Sequence, residues 1–357
     1  MSEAAGGNGS APGPAPVDWG LAVATAQRLV RPGPVIPLAE AERTVAELRD
    51  VTGVAENHVR ELTGLGAGLT VHPGEVVDRH GWVAAAAAGL EALTDGALPT
   101  GANGYLGGVM AGGAGLQAGL VLAYLGGRVL GQYDPFGGAG AGRLLLVAPN
   151  VVAAQQALDV PAADFRMWVC LHECTHRLQF TAVPWLRDYF AGEVGRFLAG
   201  LEDTAGSALS RLPELIRGMR ERKASDERGG PIAVMEIMQS PQQRAVFDRL
   251  IALSTLLEGH ADHVMDAVGP TVVPSVGLIR QRFTARRRGG GLLDRALRTL
   301  LGVDAKVRQY AVGAEFTRQV VDAVGMDGFN AVWTAPDTLP LRSEINDPPA
   351  WLRRVHG

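Results

Sequence analysis

The feature that most constrains this chain is the pentapeptide His172-Glu173-Cys174-Thr175-His176, which lies in a helix-compatible run. On an α-helix, residues four apart differ by about 40° in direction and roughly 6 Å in height, so both imidazoles leave the same face. Two imidazoles placed in this way can bind one tetrahedral metal ion, and zinc is typical of this spacing. The apolar segment 165–171 before the motif predicts that this helix is buried.

Glu173 follows the first histidine directly, so it can reach a water molecule at the metal without being a ligand itself. This position predicts a general base. Cys174 lies between the two histidines and points off their face, which predicts a packed core residue. A purely structural alternative stays open, in which both histidines are hydrogen-bonded core residues and Glu173 is a surface charge.

A metal site of this kind needs a third protein ligand. The best candidate region is segment 256–264 of a second predicted helix, where Glu258 and Asp262 are four apart and share a face. This arrangement is similar to the Glu-x-x-x-Asp spacing of gluzincins. The similarity implies that Glu258 binds zinc and that Asp262 holds a ligand histidine through its second ring nitrogen. His260 and His263 are the alternatives for the third ligand.

Composition limits the function classes and the partners. Hydrophobic residues make up 47% of the chain and charged residues 20%, the balance expected of a soluble globular protein. The formal net charge of −4 gives no electrostatic case for nucleic-acid binding. Cys170 and Cys174 are four apart on one predicted helix, so they form neither a CxxC pair nor a disulfide framework. We therefore expect a reducing compartment and a cytoplasmic location.

Two segments raise the question of targeting. Residues 1–16 are mostly Gly, Ala, Ser and Pro without a basic or apolar block, which predicts a disordered tail rather than a signal peptide. Segment 107–130 has only Gln117 and Arg128 as clearly polar residues, so a membrane span is one interpretation. Its eight glycines favour a buried helix of small residues instead, and we expect no membrane span.

The hydrophobic periodicity predicts a mainly α fold with a little β structure (α+β). The expected helices are 19–30, 38–50, 55–62, 81–93, 164–181, 184–201, 206–220, 241–268, 292–301, 306–324 and 349–355. A short apolar run predicts a strand at 143–148, and 71–77 is a second strand or an extended loop. Residues 132–135 are expected to form a turn. We predict an N-terminal helical portion with short strands at 17–150 and a metal-binding catalytic portion at 151–357.

Several further segments, together with the metal motif, resemble the zincin-like metallopeptidases of the DUF2342 family over about residues 18–355. They are Asp18-Trp19, Val77-Asp-Arg79, Gly81-Trp82, 129–134, Gln179-Phe180, 184–187, 257–262, 264–266, 308–310, Gly313 and Phe316. One branch of that family is associated with coenzyme F420 biosynthesis in actinobacteria. The resemblance implies a zincin-like fold with the HExxH sequence on its active-site helix.

The resemblance further implies a zinc-dependent hydrolase, a metallopeptidase in which His172, His176 and Glu258 bind Zn²⁺ and Glu173 is the general base. Its substrate would be an unidentified peptide or protein. Zincins often use a Tyr or a His to stabilise the transition state, which makes Tyr310 and His260 candidates for this role. The alternatives are that Tyr310 is a partly buried structural residue, and that the protein is a non-catalytic zinc-binding scaffold of the same fold.

Overall fold

Helices form most of the computed structural model, which describes residues 17–95, 105–138, 142–200, 240–288 and 303–357. They are α1 (Trp19–Leu29), α2 (Leu38–Thr63), α3 (Arg79–Thr94), α4 (Tyr105–Gly126), α5 (Ala148–Leu158), α6 (Ala162–Ala182), α7 (186–200), α8 (Pro241–Ala267), α9 (Gly269–Val272), α10 (Val276–Arg288), α11 (Val303–Phe329) and α12 (Pro348–His356). Short 3-10 helices at Asn330–Trp333, Pro336–Thr338 and Glu344–Asn346 lie between α11 and α12. The predicted mainly α fold with a little β structure is confirmed.

A small sheet lies beside the helices. Its strands are β1 (Glu75–Val77), β2 (Gly131–Asp134) and β3 (Arg143–Val147), in the order β1-β3-β2. The central strand β3 runs parallel to β1 and antiparallel to β2, with Gly131 opposite Leu146. β2 is therefore an outer strand of this sheet, which matters for the site below.

Two local predictions were wrong. The expected helices 38–50 and 55–62 are one continuous helix, α2, whose buried face, including Thr52 and Ala55 at the expected break, packs on α6. The expected turn at 132–135 is instead strand β2 up to Asp134. The buried central strand β3 offers backbone partners there, and Pro135 ends the pairing because it has no N–H to donate.

Helix α4 contains most of the glycine-rich segment. A Cβ at Gly115 would lie 2.5 Å from the carbonyl oxygen of Asp18, and one at Gly119 would lie 2.7 Å from that of Ala22. Glycine therefore lets α4 approach α1 closely, as the small-residue interpretation predicts. Among the described residues, none of the helices has the length and apolarity needed to cross a bilayer.

The main hydrophobic core surrounds α6, which packs on α2 and α8. A smaller core lies between α1, α3, α4 and β3. The division into portions at 17–150 and 151–357 stays a prediction, and contacts between α2 and α6 cross it. The predicted tail at 1–16 and the predicted helices at 206–220 and 292–301 lie outside the described residues.

Candidate metal centre

Helix α6 is buried over most of its surface, as the apolar run before the motif predicts. From Trp168 to Phe180, only the side chains of His172, His176 and Phe180 are partly accessible. His172, His176 and Phe180 are four residues apart and share one face of the helix. This face is therefore the accessible stripe of an otherwise buried helix, and the two histidines lie at its centre.

A buried ion pair fixes α6 against α2. Arg177, directly after the motif, pairs with Glu56, whose side chain is 2% exposed. The same guanidinium donates to the backbone oxygen of His72 at 2.6 Å. Turning α6 about its axis would separate the two residues and leave a buried charge without its partner. The pair therefore stabilises the orientation in which α6 packs on α2.

Helix α8 supplies the opposite wall. Ser240 caps its N-terminus in a capping box with Gln243. Ser254, Glu258 and Asp262 recur every four residues, are partly accessible, and line the cleft that also contains the two histidines. The helical period places each predicted motif on one face of its helix, and the packing of α6 against α8 brings the two faces together.

The side chains of His172, His176 and Glu258 converge at this place. The two Nε2 atoms lie 3.2 Å apart, and each lies 3.5 Å from Oε2 of Glu258. Within the described ranges, this is the one set of three His, Cys, Asp or Glu side chains found with all ligand atoms within 4.8 Å of one another. Two imidazole nitrogens and a carboxylate oxygen are a donor set that zinc favours.

The outer ring nitrogens show which atoms face the cluster. His172 Nδ1 lies 3.2 Å from the Met265 thioether, and His176 Nδ1 lies 2.9 Å from Oε1 of Gln179. Both partners can only accept, so both Nδ1 atoms carry hydrogen. In the neutral rings the two Nε2 lone pairs then point at each other and at a carboxylate. A cation between them removes this repulsion, so the residues fit a metal ion.

The ionisation of the cluster agrees with this geometry. Burial favours a higher pKa for Glu258, but hydrogen bonds and charge interactions with His172 and His176 outweigh it and hold the pKa well below its ordinary value. Burial favours a lower pKa for His176, but the Glu258 carboxylate outweighs it and raises the pKa to about 9. In the protein without a metal ion, a proton on His176 neutralises the charge of the Glu258 carboxylate. A metal ion that binds His176 must displace this proton.

Glu173 is buried, at 6% exposure, and lines the same cleft. Its charge contributes to raising the pKa of His176. The carboxylate packs directly on the backbone of β2, because a Cβ at Gly131 would lie 2.6 Å from its Cγ and 2.9 Å from its Oε1. A glycine at the start of the outer strand therefore makes room for the side chain that sequence analysis singles out as a general base.

Asp262 does not hold a ligand histidine, and that prediction was wrong. Its Oδ1 accepts a hydrogen bond of 2.5 Å from Arg280, which also pairs with Asp266 at 2.7 Å. The guanidinium of Arg280, which itself lies 5.4 Å from the ring centre of Trp168, directs the Asp262 carboxylate towards α10.

The two histidines considered as alternative third ligands lie outside the cluster. His260 is fully buried between Gln179, Phe329 and Trp333. Its position contradicts a role as transition-state donor, because a fully buried ring cannot contact a substrate. His263 interacts with the charges of neighbouring α8 and α11 side chains instead. Tyr310 lies on α11, but its side chain lies outside the described residues, so its role stays a prediction.

Gln179 and Met265, the partners of the outer ring nitrogens, were not predicted from the sequence. Gln179 is fully buried, and its Nε2 lies 2.9 Å from the Leu257 carbonyl and 3.1 Å from His260 Nδ1. A usable signal was present, because Gln179 is three residues after His176 and so shares its face of the helix. For Met265, spacing carried no signal, since the contact depends on how α6 and α8 pack.

The cleft around the cluster has a volume of about 590 Å³. Residues 130–136, including all of β2, line one wall, and residues from α8 and α10 line the other. Trp168 lies one helical turn before His172, and Phe180 lies one turn after His176. Aromatic side chains therefore flank the ligands on both sides along α6.

Comparison with known proteins agrees with this site. Residues 17–352 match the family model described as zincin-like metallopeptidase. The chain belongs to the zincin-like metallopeptidase family. Family membership therefore extends over the N-terminal helices as well as the HExxH helix. A comparison with curated proteins gave no match.

A solved structure is also similar to this chain. It is the crystal structure of a protein from Chloroflexus aurantiacus, described as a candidate hydrolase with a novel fold. The two chains are 30% identical, with a TM-score of 0.66, and the match covers 95% of this chain and 99% of the other. The similarity therefore concerns the whole described fold rather than the metal motif alone.

Proposed function

We propose that this protein is a zinc-dependent hydrolase, with His172, His176 and Glu258 as metal ligands and Glu173 as general base. The observation that carries the proposal is the buried Glu173 carboxylate beside the three-residue cluster, in the wall of an open cleft. A zinc site that serves only for structure needs closed ligation, not an additional carboxylate beside its first ligand.

Zinc held by these residues would supply Lewis-acid chemistry, polarising a substrate carbonyl and making a water molecule more acidic. Glu173 accepts the proton of the attacking water at its carboxylate and returns it to the leaving amine. Because Gly131 has no side chain, this carboxylate has room to lie against β2. His172 and His176 present their Nε2 atoms, and Glu258 presents Oε2.

The substrate class that we propose is a peptide. β2 is an outer strand of the sheet, and its residues line the cleft beside Glu173. An extended peptide can add to such a strand by main-chain hydrogen bonds, which would place a peptide carbonyl beside the general base. The match to a metallopeptidase family favours the same class.

Apolar side chains on that peptide fit the cleft best. Trp168 packs edge-on against Phe283 at one end of the stripe, and Phe180 packs against Phe190 at the other. Trp168 and Phe180 are twelve residues apart, or about 18 Å along the helix axis, which corresponds to about five residues of extended peptide. We therefore expect cleavage within a segment that carries aromatic or aliphatic side chains on both sides of the scissile bond.

The test compares wild type with Glu173→Gln, which keeps the size of the side chain and removes the base. Both proteins are loaded with zinc and incubated with a broad peptide library, and the products are read by mass spectrometry. We expect equal zinc content and a loss of cleavage of roughly 10²- to 10⁴-fold in the variant. Equal cleavage by both proteins would refute Glu173 as the base.

A non-catalytic zinc-binding scaffold is the competing function. Loss of zinc from Glu173→Gln would favour it, because the carboxylate would then be part of the structure of the site. The association with coenzyme F420 biosynthesis stays an expectation from the sequence resemblance and identifies no substrate. We also propose a cytoplasmic location, since Cys170 and Cys174 are both free and buried.

A further inference from the structure

Gln179 forms a fully buried hydrogen-bond network behind the ligand cluster. Its Oε1 lies 2.9 Å from His176 Nδ1, and its Nε2 lies 2.9 Å from the Leu257 carbonyl and 3.1 Å from His260 Nδ1. Gln179 and His260 are both 0% exposed. Bulk water therefore does not compete for these bonds, and each atom has to match its neighbour.

The Leu257 carbonyl determines which way the Gln179 amide points. A carbonyl can only accept, so the amide atom facing it must be the NH₂ group, and Oε1 must face His176. His176 Nδ1 therefore carries a hydrogen, and Nε2 of the neutral ring presents its lone pair to His172 and Glu258. One backbone carbonyl on α8 thus fixes the tautomer of a candidate ligand on α6.

His260 accounts for the second hydrogen of the amide. Its Nδ1 accepts from Gln179, which leaves the ring hydrogen on Nε2. That Nε2 is buried and has no partner among the described residues, and the ring packs against those of Phe329 and Trp333. A buried donor without a partner destabilises the fold, and an apolar side chain of similar size would avoid that cost. The hydrogen bond that Nδ1 accepts from Gln179 explains why this position is a histidine and not an apolar residue.

We propose that Gln179 and His260 are a positioning pair, which holds His176 in the tautomer and orientation of a metal ligand. This inference rests on the proposed function in so far as His176 binds zinc. The pair takes the role that the sequence assigned to Asp262, whose carboxylate is held by Arg280. Residues that orient ligand histidines typically contribute 10- to 100-fold to metal affinity.

The test uses three variants of the full chain. Gln179→Met keeps an unbranched side chain of similar length but removes all three hydrogen bonds. His260→Leu removes the acceptor, whereas His260→Asn keeps an amide oxygen close to the position of Nδ1. Zinc affinity is measured by competition with a chromogenic chelator, and ligand geometry by the visible absorption of the Co²⁺-substituted protein.

We expect Gln179→Met and His260→Leu to weaken zinc binding on the order of 10- to 100-fold and to change the Co²⁺ spectrum. His260→Asn should restore both towards wild type, which a merely structural role of the ring would not produce. Wild-type affinity with an unchanged Co²⁺ spectrum in Gln179→Met would overturn the proposal.

Thr255→Val is the matched control. Thr255 is buried on α8, one turn before Glu258, and its hydroxyl donates to the Ile251 carbonyl of the same helix. The control should keep wild-type zinc affinity and the same Co²⁺ spectrum. If it weakens zinc binding as much as Gln179→Met does, the effect is general loss of packing and the proposal fails.

The readout also separates this proposal from the proposed hydrolase function, because metal binding requires no substrate. The expected pattern of affinities in a protein that cleaves no peptide would support the positioning pair and contradict the hydrolase. A wild-type chain that binds no zinc would overturn both.

Discussion

The Nε2 atoms of His172 and His176 lie 3.2 Å apart, within the distance at which two ligands meet around one ion. Their Nδ1 hydrogens are directed away from each other, to a thioether and to an amide oxygen. Both Nε2 atoms, together with Oε2 of Glu258 at 3.5 Å from each, therefore face one shared position that a single ion would occupy.

We therefore expect His172→Ala and His176→Ala each to abolish stoichiometric zinc binding, since two remaining ligands hold the ion weakly. Elemental analysis of purified protein measures this directly. His80→Ala is the control, because His80 lies on α3 and contacts the backbone of Gln27 instead. About one zinc per chain in either ligand variant would exclude this site.

Glu258→Gln tests the third ligand. The change keeps the shape of the side chain but removes the anionic oxygen that faces both Nε2 atoms. Zinc affinity should therefore fall by more than about 100-fold, beyond the usual effect of residues that only orient ligands. Asp262→Asn is the matched control on the same helix, because its carboxylate pairs with Arg280. Equal affinities for Glu258→Gln and wild type in a chelator competition would show that Glu258 is not a ligand.

Gly131→Ala tests the placement of the general base. The added Cβ would lie 2.6 Å from Glu173 Cγ, a distance that atoms in folded proteins do not keep, so the carboxylate or the strand must move. We expect zinc content to stay near one per chain while peptide cleavage falls at least about tenfold, as misplaced catalytic groups are costly. Gly113→Ala, where nothing lies within 4 Å of the new atom, is the control. Wild-type cleavage by Gly131→Ala would argue against the position assigned to Glu173.

Glu344→Gln tests the attachment of the C-terminal helix. The Glu344 carboxylate accepts two bonds from Arg354 and one from the backbone of Leu341. Burial favours a higher pKa for Glu344, but these bonds outweigh it and lower the pKa. We expect the variant to lose about 1–3 kcal/mol of unfolding free energy at neutral pH.

The sign of the pH dependence follows from the lowered pKa of Glu344. Its stabilising effect is complete above the unfolded-state pKa of about 4.3 and is lost as the pH falls through the lower folded-state value. Urea unfolding at neutral pH and at about pH 3 should therefore show a large difference between wild type and Glu344→Gln at neutral pH and a small one in acid. A difference that does not change with pH would show that the carboxylate charge is not responsible.

The sequence by itself determined the local part of this protein. The four-residue spacing of His172 and His176 is enough to place both rings on one helical face, because that direction depends only on the period of the helix. The apolar run before the motif is enough to bury the helix. In the same way, the spacing of Glu258 and Asp262 placed both on one face of α8, although it could not show which way each side chain would turn.

Only the tertiary structure decided the partners of those side chains. The Asp262 carboxylate pairs with the guanidinium of Arg280 on α10. The Nδ1 atoms of the two ligand histidines contact Gln179 and Met265 instead. His260 is enclosed by Phe329 and Trp333, far along the chain from α8. The strand at Gly131 could not be recognised from its own residues, because it forms against β3. These contacts join segments distant in sequence, and their geometry depends on how whole helices and strands pack, which no local pattern of residues specifies.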